Sequence, residues 1–105
     1  MLKIKYCVQK EALALSMEGH AGAGKWGSDI VCAAASVLAY TGAAVAQQLY
    51  REGKLQQRPQ IKLEPGAARI ILENSEAARG VLDVICTGYG LLAVRYPKNV
   101  LLVRE

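Results

Sequence analysis

Apolar residues alternate with mostly polar ones from Leu2 to Val8, the period of a strand with one buried face. After a polar turn at Gln9-Lys10-Glu11, a second strand is expected over 12–18, with Leu13, Leu15 and Met17 on one side. The period then lengthens. Residues 29–52 predict a helix with Ser28 as its N-cap and Ile30, Ala34, Leu38, Val45 and Leu49 facing the core. Its many alanines let another element approach closely, and Arg51, Gly53 and Lys54 suit its end. A polar linker, 54–59, leads to two short strands at 60–64 and 67–73, joined by a Pro65-Gly66 turn. Asn74 or Ser75 caps a second helix that has Glu76 in its first turn. Its core face is Ala78, Leu82, Ile85, Tyr89 and Leu92, and Gly88 and Gly90 read as close-packing positions, with a helix break there as the alternative. Pro97-Lys98-Asn99 ends this helix, and 100–103 is a last apolar strand of the kind found mid-sheet or at an interface.

The order ββαββαβ predicts an α+β two-layer sandwich: a mostly antiparallel five-stranded sheet with both helices on one face. The other face then needs cover, with Tyr6 and Ile71 as its expected apolar residues and a second copy as one solution. At 105 residues the chain is expected to be one domain, 1–105. A hydrophobic share of 52% with 21% charged residues is that of an ordinary globular protein. The net charge of +4 is dispersed, without a basic run or interleaved aromatics. It reads as a solvated surface, so no direct nucleic-acid partner is expected. The longest apolar stretch, 30–46, is largely alanine and holds Ser36, Thr41 and Gly42. That suits a buried helix and not a membrane span. Three cysteines, an odd number, behind an opening unlike a signal peptide predict a reduced cytoplasm. One histidine and scattered cysteines are too few for a metal site, and no cofactor is expected.

The chemistry gathers in 19–36. The sole histidine, His20, ends the second strand, and four glycines fall within 19–27. Gly22, Gly24, Lys25, Trp26 and Gly27 are the candidate substrate loop, expected to be mobile without substrate because glycine is costly to order. Cys32 would lie about one turn into the helix. There the dipole and unpaired N–H groups favour a thiolate and would stabilise an oxyanion. His20, folding back across the loop, would complete a Cys–His pair for attack on an amide. The competing reading is a cysteine that merely fills the core, which is the assignment for Cys7 and Cys86. Gly19 to Lys25 also spells G-x-x-x-x-G-K, but Trp26 stands where a P-loop needs Ser or Thr for magnesium. Asp29 either steadies the helix start or orients His20. Ser36, a turn below Cys32, either holds a water or backbone group or bonds back to the carbonyl four residues earlier.

Gly19-His20-Ala21, a glycine-bearing loop, Asp29-Ile30-Val31-Cys32-Ala33-Ala34, Ser36 and a later Tyr96-Pro97 before a short last strand together resemble the signature of the ribosomal-processing cysteine protease family, Prp. The resemblance spans essentially the whole chain. It implies a bacterial cysteine endopeptidase that removes a short N-terminal extension from large-subunit ribosomal protein twenty-seven, cutting after an aromatic pair. It implies Cys32 as nucleophile and His20 as general base, with Asp29 and Ser36 at further motif positions. It also implies a homodimer. The alternative is a non-enzymatic ribosome- or RNA-associated binding module.

Overall fold

The computed structural model describes the backbone of residues 1–20 and 25–105 and the side chains of 1–20 and 30–105. Seven elements follow in the expected order: β1 (Leu2–Val8), β2 (Ala12–Gly19), α1 (Lys25–Arg51), β3 (Gln60–Glu64), β4 (Ala67–Glu73), α2 (Glu76–Arg95) and β5 (Val100–Arg104). The strands form one sheet in the order β3-β4-β2-β1-β5. All pairings are antiparallel except β1 with β5, which is parallel.

Strand alternation sorts the sheet into two faces. Leu2, Ile4 and Tyr6, then Leu13, Leu15 and Met17, then Ala68, Ile70 and Leu72 are buried under the helices. Cross-strand partners such as Ile4 with Met17, and Met17 with Ala68, bring them together. The opposite face carries Lys3, Lys5, Ser16, Glu18, Lys62 and Arg69. It forms a shallow concavity of about 690 Å³ whose floor includes Ala14 and Ala67. Ile71 lies on this face, half-buried, as expected. Tyr6 does not. It shares the parity of Leu2 and Ile4, points at the helices and donates a hydrogen bond to Asp83 Oδ1 on α2 at 3.0 Å. Burial, that bond and the Asp83 charge push its phenol pKa up to about 12. β5 also departs from expectation. It is an edge strand, with Val100 buried but Leu101 and Val103 exposed, so its apolar run reflects neither a central position nor burial on both faces.

The sandwich is thin because its seam is built from small residues. On α1 the buried stripe is Val31, Ala35, Ala39, Ala43, Ala46 and Leu49, not the stripe of larger residues through Ile30. Ile30 is exposed, while Ala34, Leu38 and Val45 lie on a half-buried flank. Ranking positions by side-chain size hid the true inner face, where alanine permits close contact with the sheet. At Gly42 a Cβ would come within 3.2 Å of Ile70 Cδ1 on β4.

α2 is capped as expected: Ser75 Oγ accepts from the Ala78 N–H at 3.1 Å, and Glu76 sits in the first turn. The helix runs unbroken through Gly88, where a Cβ would stand 2.8 Å from Leu38 Cδ2 on α1. Close packing, not a helix break, explains that glycine. Beside it the Tyr89 hydroxyl donates to the Ala35 carbonyl on α1 at 2.8 Å, and burial pushes its pKa well above the usual tyrosine range. The linker, polar in composition, is pinned by buried Leu55 and by Glu73 Oε1, which accepts from the Gln56 and Gln57 N–H groups.

Candidate active site

His20 follows the last residue of β2. The chain turns sharply there because Gly19 has φ +98°, a conformation costly for any residue with a Cβ. A side chain at Gly19 would also run into the Met1 carbonyl oxygen. The Gly19 N–H donates to the Gly66 carbonyl at 2.9 Å, tying the end of β2 to the β3–β4 turn. The exposed His20 ring lies across that turn. A Cβ on Gly66, itself at φ +76°, would stand 3.1 Å from His20 Cε1 and 3.3 Å from Nε2. Gly66 reads in the sequence only as a turn residue. No local pattern reveals that it also makes room for the imidazole.

Cys32 is half-buried on α1 and packs against the edge of the core. Ser36 lies one turn on, also half-buried, and the two share a flank. No hydrogen bond among the described residues joins His20 to Cys32, and the connection between them, 21–24, is outside the described residues. The candidate loop residues Gly22 and Gly24 fall there too, within the middle of the loop, 19–27, expected to be mobile.

Lys25, Trp26 and Gly27 are a correction. They belong to α1, which starts at Lys25 and not at residue 29. Ser28 is therefore inside the helix and not its N-cap, and Asp29 lies beyond the first turn, which holds no acidic residue. The chemical consequence falls on Cys32. As the eighth residue of α1 it lies roughly 10 Å along the axis from the helix start, at 1.5 Å per residue. Dipole stabilisation is felt mainly within the first turn, and Cys32 lies beyond it. The unpaired N–H groups of that end are not beside the sulfur as oxyanion donors either.

The other thiols sit differently. Cys86 on α2 is fully buried, and burial, with Asp83 nearby, pushes its pKa up against the lowering effect of Arg104. Cys7 is half-buried on the open sheet face opposite Ala14. Among the described residues, no group of three or more His, Cys, Asp and Glu is placed to hold a metal ion.

A second groove, of about 520 Å³, lies between the helices. Ala34, Val37, Leu38, Leu91, Leu92 and Tyr96 line it. It continues onto an outer surface where Ile30, Val37 and Tyr40 of α1 and Val84, Leu91 and Val94 of α2 are all more than half exposed. Ile30–Arg51 and Glu76–Arg95 are each long and apolar enough to cross a membrane by length and composition. Their packing on the sheet accounts for the inner half of that apolarity, and the exposed outer stripes remain.

The family model of cysteine protease Prp matches residues 1–101. Among solved structures, the chain is similar to the S. aureus ribosomal processing protease Prp in complex with a covalently linked product peptide, at 24% identity and a TM-score of 0.74 over 100% of both chains. It is similar to SMU.848 from Streptococcus mutans at 23% identity and a TM-score of 0.73, covering 100% of this chain and 94% of that one. The S. aureus protease with a substrate peptide gives 21% identity and a TM-score of 0.69 over 100% of both chains. No curated protein matches. At these identities the solved structures speak to the fold, and the family match speaks to the chemistry.

Proposed function

The chain belongs to the cysteine protease Prp family, and on that premise we propose that Cys32 is its nucleophile and His20 its general base. One observation carries the assignment. There is a single histidine, and of the three thiols Cys86 is sealed in the core and Cys7 lies mid-sheet on the face away from the helices. Cys32 remains, on the flank of the helix that the chain enters from His20. His20 takes the Cys32 proton, and the sulfur attacks the scissile carbonyl. The tetrahedral adduct collapses to a thioester as His20 returns the proton to the leaving amine. Water, deprotonated by His20, then releases the acid and restores the thiol. Asp29 and Ser36 act as supporting positions, Ser36 from one turn below the sulfur.

The substrate we infer is the short N-terminal extension of large-subunit ribosomal protein twenty-seven, cut after an aromatic pair. The family resemblance of the motif supports it, as do the peptide-bound S. aureus structures of the same fold. A free thiol nucleophile suits a reducing compartment, and we place the enzyme in the cytoplasm. Mass spectrometry of a peptide spanning such an extension should show one cut, lost in Cys32→Ser and in His20→Ala. Cutting that survives Cys32→Ser would move the nucleophile elsewhere. Intact peptide with every form, despite binding, would favour the binding-module reading.

We further propose that the enzyme is a homodimer through the outer helix surface and not through the open sheet face. The sheet face is rimmed by charged residues. The stripes through Val37 and Leu91 present large apolar side chains, the pattern of an interaction surface. A second copy offers an equally uncharged stripe. Leu91→Lys should convert a dimer to a monomer by sedimentation. A monomeric wild type would refute the proposal.

A further inference from the structure

The helix layer does not cover the whole sheet. Leu63 pairs with Ala68 and Ile61 with Ile70 across β3 and β4. Ala68 and Ile70 are buried under the helices, so Ile61 and Leu63 also point to the helix side. Yet Ile61 is only half-buried, and Leu63, on the edge strand, is 41% exposed. An apolar shelf therefore stands open beside β4, whose helix-facing Ala68, Ile70 and Leu72 are sealed.

The shelf lies along the Cys32 flank of α1. The opposite flank, with Ala34 and Leu38, meets α2. Cys32 and Tyr50 are about five turns apart, so they project from the same side of the helix. The Tyr50 ring has the Arg58 guanidinium 5.4 Å from its centroid, immediately before β3. β3 thus starts beside the far end of that flank. It finishes at the turn whose Gly66 carries His20. Leu63 is the last helix-facing residue before that turn.

We propose that Leu63, with Ile61 behind it, is the specificity-determining seat for the substrate's apolar or aromatic side chain next to the cut. The substrate segment lies between β3 and the Cys32–Ser36 flank of α1. This inference rests on Cys32 and His20 as the reacting pair, which fixes where the segment must pass. An extended chain there sets its scissile carbonyl at Cys32 and one side chain on the shelf, leaving solvent-facing Lys62 and Glu64 outside. Their mutual ion pair, at 3.7 Å, holds the charged face of β3 together on the other side of the sheet.

The test uses the Cys32→Ser protein and two fluorescent peptides, one with the aromatic pair and one with alanines in its place. The aromatic peptide should bind more tightly. Leu63→Glu added to Cys32→Ser should weaken the aromatic peptide about 10- to 200-fold, the range over which apolar pockets discriminate, and leave the alanine peptide unchanged. Val103→Glu, a comparable exposed edge position on the other side of the sheet, should change neither. Leu63→Ser repeats the test without a new charge. Equal affinity for the two peptides, equal loss on both, or no loss in either Leu63 variant would overturn the seat. Leu63-dependent aromatic binding without cleavage by the wild type would keep the seat and overturn the catalytic pair instead.

Discussion

Two cysteines sit on the two helices of one layer, and the fold treats them oppositely. Cys86 is on the inner face of a helix that is capped, continuous and flanked by β5 and β1. It has no exposure, and burial favours its neutral thiol. Cys32 is half-buried on the flank of α1 that faces away from α2, while Gly19 and Gly66 bring His20 onto the β3–β4 turn. The difference in accessibility follows from where the helix layer stops and not from the residue type. The enzyme is a sandwich with one side left unfilled.

The sharpest way to break this comparison is to change each thiol to a hydroxyl. Cys32→Ser should reduce turnover by about a thousandfold or more, as loss of a nucleophile does, with stability nearly unchanged at a half-buried site. Cys86→Ser should do the reverse. Cleavage persists, but a fully buried hydroxyl without a designed partner costs about 1–3 kcal/mol of folding free energy. Denaturant midpoints beside peptide-cleavage rates separate the two effects. Equal stability losses would mean that Cys32 is as structural as Cys86.

A smaller effect should come from the platform under His20. Gly66→Ala places a methyl 3.1 Å from His20 Cε1 and strains a residue held at φ +76°. kcat/KM should fall about 10- to 100-fold, as displacement of a positioned catalytic group does. Gly53, also at positive φ with open space around its Cβ position, provides the control. Gly53→Ala carries the backbone strain without touching the histidine. If both variants lose activity alike, Gly66 matters for the turn alone.

These sites differ in how far the sequence exposes them. The order of elements, the Ser75 cap and the Pro65-Gly66 turn are legible because each depends on a few adjacent residues. The inner face of α1 is not, since alanine and glycine carry little hydrophobic signal. They are buried there because the sheet comes close, a fact about Ile70 on β4. The start of α1 is misread for a similar reason. Ser28 and Asp29 imitate an N-terminus within a helix already begun at Lys25. His20 and Cys32 stand out by type and motif, while Gly66, 46 positions beyond His20, acquires its role only through strand pairing. Tyr6 shows that strand parity outranks residue character: it shares the inward face of Leu2 and Ile4.

The smallest prediction concerns the closed side, where Tyr6 bonds Asp83 beside Cys86. Burial first, then the hydrogen bond and the Asp83 charge, raise the Tyr6 pKa from 10.0 to about 12. A phenol whose pKa is raised on folding stabilises the fold fully below its unfolded pKa, and that contribution is lost as the pH rises through the folded value. Chemical stability should therefore hold up to about pH 10 and decline between pH 10 and 12. Tyr6→Phe should cost about 1 kcal/mol at pH 8, the usual worth of such a bond, and make the alkaline decline shallower. Tyr89, also raised by burial, maintains the remainder. At Cys32, where the flank is open, Tyr6→Phe should leave the rate of alkylation by iodoacetamide at pH 8 unchanged. A Tyr6→Phe protein whose Cys32 labels faster would show that the two sides are mechanically coupled. Unchanged labelling with a shallower alkaline decline would keep the sealed and open sides independent.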